Sequence, residues 1–121
     1  MAVTSIMTTG AEIAAKMGAN VSVGFTEAMQ DALVLQAESV VNCLARYNYS
    51  DAITAGLNVD VKGIFSAIVS SWVAIVGIEY DMSGYTTRTE AEDMINTLRD
   101  DLLRNLSLIR DDKVRTFING A

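Results

Sequence analysis

Histidine and proline are absent from this chain of 121 residues, and cysteine and tryptophan occur once each. Without histidine there is no imidazole to activate a thiol or to complete a Cys/His zinc site. The single Cys43 cannot form an internal disulfide. Set among Val40, Val41 and Leu44, it reads as a buried small apolar residue and not as a nucleophile. Calcium loops of the DxDxDG type and Gly-rich phosphate cradles are missing too. The carboxylates Glu90, Glu92 and Asp93, and Asp100 with Asp101, are close in sequence, but neighbouring helical positions point about 100° apart, so they read as a solvated face and not as an acid–base pair. The sequence therefore predicts no enzyme: no catalytic residue, no metal ligand, no cofactor-binding residue and no cofactor.

Basic character is scarce as well. Nine Lys and Arg stand against fifteen Asp and Glu, for a net charge of −6. Such a surface repels nucleic-acid phosphates, which argues against specific DNA or RNA binding. Six of the nine basic residues come late (Arg88, Arg99, Arg104, Arg110, Lys113 and Arg115), interleaved with acidic ones, as on a solvated helix laced with ion pairs. The first basic residue is Lys16 and the opening MAVTSIMTTG has no long apolar core, so a secretory leader is not expected. The sequons at Asn20, Asn48 and Asn105 then read as chance. With half of its residues hydrophobic and a fifth charged, the chain has the composition of one folded domain with a single core.

Periodicity predicts an all-α fold, a small bundle of three to four helices. Residues 1–8 read as a flexible or extended arm, 9–112 as the bundle and 113–121 as an extended tail. A short helix over 9–17 closes at Gly18, and 19–25 is loop or a brief strand. Thr26 caps a long helix to about Tyr47, whose apolar stripe is Leu33, Ala37, Val40, Leu44 and Tyr47. Residues 48–58 form a connection holding one helical turn around 52–55, ending at Gly56. Asp60 caps a third helix to about Met82, stopped by Ser83-Gly84. A capping box, Thr87 to Glu90, opens a fourth helix that persists to about Arg110. Its inward face is Ala91, Met94, Ile95, Leu98, Leu102, Leu106 and Ile109, with an outer Asp100–Arg104 pair. The closing KVRTFINGA is rich in Val, Thr, Phe and Ile, which favours an extended segment seeking a partner strand or groove.

One stretch does lack charge altogether. Residues 63–78, GIFSAIVSSWVAIVGI, lie between Lys62 and Glu79 and must be hidden from water. A membrane span needs about 20 apolar residues to cross roughly 30 Å, and this segment is shorter and broken by Ser66, Ser70, Ser71, Gly63 and Gly77. Enclosure by protein is the expectation. A monomer this small is expected to leave part of such a helix as an exposed apolar strip that contacts another subunit, with Phe65 and Trp72 as candidate interface anchors; either residue alone is also an ordinary core candidate.

The order of elements resembles the head–tail connector (adaptor) proteins of tailed bacteriophages. The resemblance rests on TEAMQDALVLQAESVVNCLARY in the second helix, SSWVAIVGIEYDMSGYTTRTEAEDMINTLRDDLLRNL across the third and fourth, and KVRTFINGA at the end, and covers roughly residues 9–121. It implies a virion structural protein at the neck, assembled in the host cytoplasm, whose subunits form a ring, commonly twelvefold, between the portal and the tail or neck proteins. It also implies that DNA passes through without specific binding, that no membrane is involved, and that residues 113–121 form a docking tail anchored by Val114, Phe117 and Ile118. An acidic inner wall suits that passage. Two further readings stand beside this one: a small helical regulatory or binding module that dimerises through the third helix, and a single-span membrane protein such as a holin.

Overall fold

The computed structural model describes residues 6–18, 24–80 and 88–120. Within them the chain forms six helices and no strand: α1 (Gly10–Met17), α2 (Glu27–Ala45), α3 (Tyr49–Ala55), α4 (Val59–Tyr80), α5 (Arg88–Arg110) and α6 (Asp112–Gly120). The all-α expectation stands; the count exceeds three or four because the turn after α2 is a full short helix and the C-terminal segment is helical.

Side-chain caps define most helix ends. The hydroxyls of Thr9 and Thr26 accept the N–H groups of Glu12 and Met29, and Asn48 Oδ1 accepts that of Asp51, each satisfying a donor that the first helical turn leaves free. Asn58, and not Asp60, opens α4: its Oδ1 accepts the Asp60 N–H at 2.9 Å. Gly56 ends α3 with φ +111°, a left-handed conformation suited to glycine. Arg46 ends α2 in the same region at φ 55°, held there by N–H bonds from Arg46 to Cys43 and from Tyr47 to Asn42. The Asn42 side chain then ties α3 to α2, donating to Ser50 Oγ and accepting from the Tyr49 N–H. Ser83-Gly84 and the Thr87 end of the capping box lie outside the described residues, as do residues 19–23; Gly24 and Phe25 form no strand.

The uncharged segment lies in α4, which is the axis of the molecule and packs most extensively on α5, then on α1 and α2. Phe65, Ile68, Val69, Val73, Ala74 and Ile78 are fully buried. By length and composition α4 could cross a membrane, yet half of its apolar window is buried by the chain's own helices, as befits a core helix. The expected exposed strip is not found: Ile64, Trp72, Ile75 and Val76 are half-buried, and the large apolar residues left exposed on α4, Val59 and Tyr80, stand at its two ends. Small residues let the neighbours close in. Gly77 faces α1 and the residue before α2 so tightly that a Cβ there would run into Met17 and meet the Phe25 ring at 2.7 Å.

The predicted face of α5 is the observed one, with Ala91, Ile95, Leu102 and Ile109 buried and Met94, Leu98 and Leu106 half-buried. Outside it, Arg104 pairs with Asp101 at 3.5 Å and not with Asp100. The stripe on α2 is rotated from the expected one by about one residue, roughly 100°. Val34, Ala37, Val41 and Ala45 are buried, while Val40 and Tyr47 are exposed. Cys43 is consequently exposed, not buried, because it lies across the helix from Val41 and Ala45. The freed position on the buried side goes to Glu38, whose carboxylate accepts the N–H groups of Ile6 and Met7 at 3.0 and 2.7 Å. The described end of the N-terminal arm is thereby fastened, with Met7 and Thr8 buried.

The C-terminal segment is the largest correction. Residues 112–120 are α6 and not an extended tail. Asp111 caps it by accepting the Lys113 N–H at 2.8 Å, and Arg115 donates to the Ile109 carbonyl at the end of α5. Val114 and Ile118 stand one helical turn apart, on the side turned to the core. The cap and the i,i+4 spacing outweigh the strand preference of Val, Thr, Phe and Ile, which is a weak and context-dependent signal.

Gly77→Ala tests the packing at the axis. At an open helical site this change stabilises by about 0.5–1 kcal/mol. Here the sign is expected to reverse, with a loss of about 1–3 kcal/mol from overpacking, read from urea denaturation; a gain in stability would show that Met17 and Phe25 yield freely.

Candidate interaction surface

With the middle of α4 covered and only Val59 and Tyr80 among its large apolar residues exposed, at its ends, the other large apolar residues left exposed lie mainly on the outer helices. On α2 the misjudged stripe becomes an outward flank: Val40, Cys43 and Tyr47 are exposed beside half-buried Leu44. On α5, Leu103 and Leu108 flank the buried stripe on either side, both exposed, and on α6 Phe117 is 69% exposed. Leu35, at 66%, stands alone on another side of α2.

The five residues expected to make contacts do not form one surface. Phe65 lies in the interior, its ring 4.6 Å from that of Tyr49, and presents nothing to a partner. Trp72 is half-buried against the core, as is Val114. Ile118 is buried and holds α6 down. Phe117 alone is directed outward. Sequence reasoning passed over Leu103 and Leu108, although the run LLRNLSLI carries more leucines than one helical face can hold, and that excess was a readable signal.

A cleft of about 580 Å³ opens between α1 and α5, lined by Lys16, Thr89, Glu90, Asp93, Met94, Thr97 and Leu98. Its ammonium group is already engaged: Lys16 Nζ donates to Ser71 Oγ at 2.8 Å and to the Ala67 carbonyl at 3.2 Å. Burial pulls the Lys16 pKa below its ordinary 10.5, against the opposing pull of Asp101 and Glu12. The arrangement clasps α1 to α4 and offers no free nucleophile. Among the described residues no group of three or more His, Cys, Asp or Glu is placed to hold a metal ion.

Comparison with known proteins adds no relative: no family model, no curated protein and no solved structure matches the chain.

The Lys16 environment predicts a pH dependence. Since its folded-state pKa is depressed below 10.5, the unfolded chain binds this proton more tightly, and stability rises with pH through the window between the depressed value and 10.5. Lys16→Met removes that contribution. The urea midpoint of the parent chain is expected to climb relative to that of the variant across this window, other titrations being common to both. A constant difference up to pH 10.5 would place the ammonium in water.

Proposed function

We propose that the chain is a structural adaptor subunit without catalytic activity, which assembles into a ring, twelvefold by its resemblance to phage connectors, and joins the portal to the tail or neck of a tailed-phage virion. The observation that carries this reading is Phe117, a large apolar side chain left 69% exposed on the terminal helix of a chain whose most apolar helix is covered from within. Aromatic residues in that position are typical anchors of protein contacts. Leu103 and Leu108 add exposed apolar side chains on two sides of α5, and the outward flank of α2 adds Val40 and Tyr47 on a different helix. Two unlike surfaces suit head-to-tail contacts that close into a ring, whereas a two-fold dimer uses one surface twice. The net charge of −6 suits a wall past which DNA moves without adhering.

The test is cryo-electron microscopy of the chain co-expressed with the portal protein of its own particle, for the parent sequence and for Phe117→Glu. The parent is expected to give a ring with α6 at a protein boundary. Phe117→Glu is expected to keep the thermal midpoint within about 2 °C, as an exposed change does, while ring or portal occupancy falls at least about tenfold, as for loss of a contact anchor. A closed dimer that ignores the portal would instead establish the binding module, and partition into detergent the membrane protein.

A further inference from the structure

The Tyr49 side chain holds a conflict that its surroundings do not resolve. Its ring packs at a tilt against those of Tyr47 and Phe65, with centroids 4.8 and 4.6 Å away, and it is wholly buried. The phenol hydroxyl at its tip is buried with it and makes no hydrogen bond. The Asn119 side chain lies beside it and favours the phenolate, without meeting the geometry of a hydrogen bond. The Arg115 guanidinium, also close, is turned elsewhere, donating to the Ile109 carbonyl at 2.8 Å and to Asp112. Burial pushes the Tyr49 pKa above the ordinary 10.0, consistent with a hydroxyl cut off from water. Both Arg115 and Asn119 belong to α6, so this helix takes part in the seal.

The helix that closes over Tyr49 is lightly attached. Only Asp111 separates α5 from α6. That residue caps the start of α6, its carboxylate accepting the Lys113 N–H and its carbonyl the Arg115 N–H. α6 packs chiefly on α5. Among its large apolar residues Ile118 is buried, Val114 is half-buried and Phe117 is turned to solvent. Closing α6 therefore gains the burial of Ile118 and part of Val114 and the Arg115 bond to the Ile109 carbonyl, and keeps dry a hydroxyl that water would otherwise satisfy.

We propose that α6 is a flap hinged at Asp111, which opens as a unit while the α1–α5 bundle stays folded, and that the unsatisfied Tyr49 hydroxyl sets how often it opens. Opening returns the hydroxyl to water and uncovers Ile118 beside the already exposed Phe117, turning a closed cover into a free amphipathic helix. The device is a property of the isolated chain and does not depend on the ring reading.

Hydrogen exchange on the purified full chain, followed by mass spectrometry, tests it with the parent and Tyr49→Phe. In the parent, amides of residues 115–120 are expected to exchange at least about a hundredfold faster than those of residues 68–74, the mark of opening short of global unfolding. Tyr49→Phe keeps the ring and removes the stranded hydroxyl, so exchange in 115–120 is expected to slow about tenfold. Exchange of α6 in step with α4 would show that no separate opening occurs. Unchanged or faster exchange of α6 in Tyr49→Phe would show that the hydroxyl does not gate it.

Discussion

Everything in this fold follows from the need to keep α4 dry. A helix whose middle carries no charge over sixteen residues, 63–78, has no face to give to water, so α1, α2 and α5 are arranged around it. Each of these three contributes one apolar stripe and turns most of its charges outward, Glu38 on α2 and Lys16 on α1 being the inward exceptions. Fully burying a Val, Ile or Phe side chain is worth about 1.5–3 kcal/mol, and five such residues on α4 lie in the interior (Phe65, Ile68, Val69, Val73 and Ile78), with Ala74 buried among them. The small residues serve the same end. Ser70 and Ser71 are buried without penalty because one back-bonds to the Ser66 carbonyl and the other accepts from Lys16, and Gly77 allows Met17 and Phe25 to reach the axis.

That enclosure moves the site of interaction. An apolar helix inside a small acidic chain suggests a subunit waiting for a neighbour to cover it, but the covering is done within the chain. What remains for a neighbour is drawn from side chains that the core does not use, among them Phe117 on α6, Leu103 and Leu108 on α5, and Val40 and Tyr47 on α2. They occupy amphipathic helices, where an apolar residue off the buried stripe is surplus to folding. Surplus of this kind is better evidence for contact than the hydrophobicity of a core helix, which packing already explains.

Legibility in the sequence varied with how unambiguous the local pattern was. On α5 the stripe from Ala91 to Ile109 was readable because acidic and basic residues mark the other side clearly. On α2 the runs Leu33-Val34-Leu35 and Val40-Val41 fit two stripes one residue apart, and periodicity alone could not choose. The choice was made by tertiary contacts, above all by Glu38, which lies on the buried side because two backbone N–H groups of the N-terminal segment need an acceptor there. A buried glutamate is the least expected occupant of a core stripe, so the correct register looked worse than the wrong one. For α6 the composition pointed to a strand, while the deciding facts were the Asp111 cap and the reach of Arg115 back to Ile109, neither of which a propensity count includes. The contact residues were the least legible of all: Phe65 and Trp72 are conspicuous as aromatics, but an aromatic ring is as useful to a core as to an interface.

The two ends of the chain show opposite solutions to one problem, how a terminal segment is held to a completed bundle. At the N-terminus a charged acceptor does the holding: Glu38 receives two N–H bonds and Met7 is buried beside them. Bonds to a charged group are worth about 1.5–3 kcal/mol each, so this fastening is firm. At the C-terminus the holding combines Ile118 and part of Val114 with one bond from Arg115 to the Ile109 carbonyl, and it is set against a hydroxyl on Tyr49 that closure leaves without a partner. Replacing that tyrosine by phenylalanine, or placing an acceptor on α6 beneath the hydroxyl, would have made the cover tighter at no cost to the bundle. The looser arrangement falls on the same helix that carries Phe117, the most exposed aromatic side chain among the described residues. A short capped segment held by few groups, with an apolar side chain already turned to solvent, needs less free energy to change partners than a segment whose apolar residues are all buried.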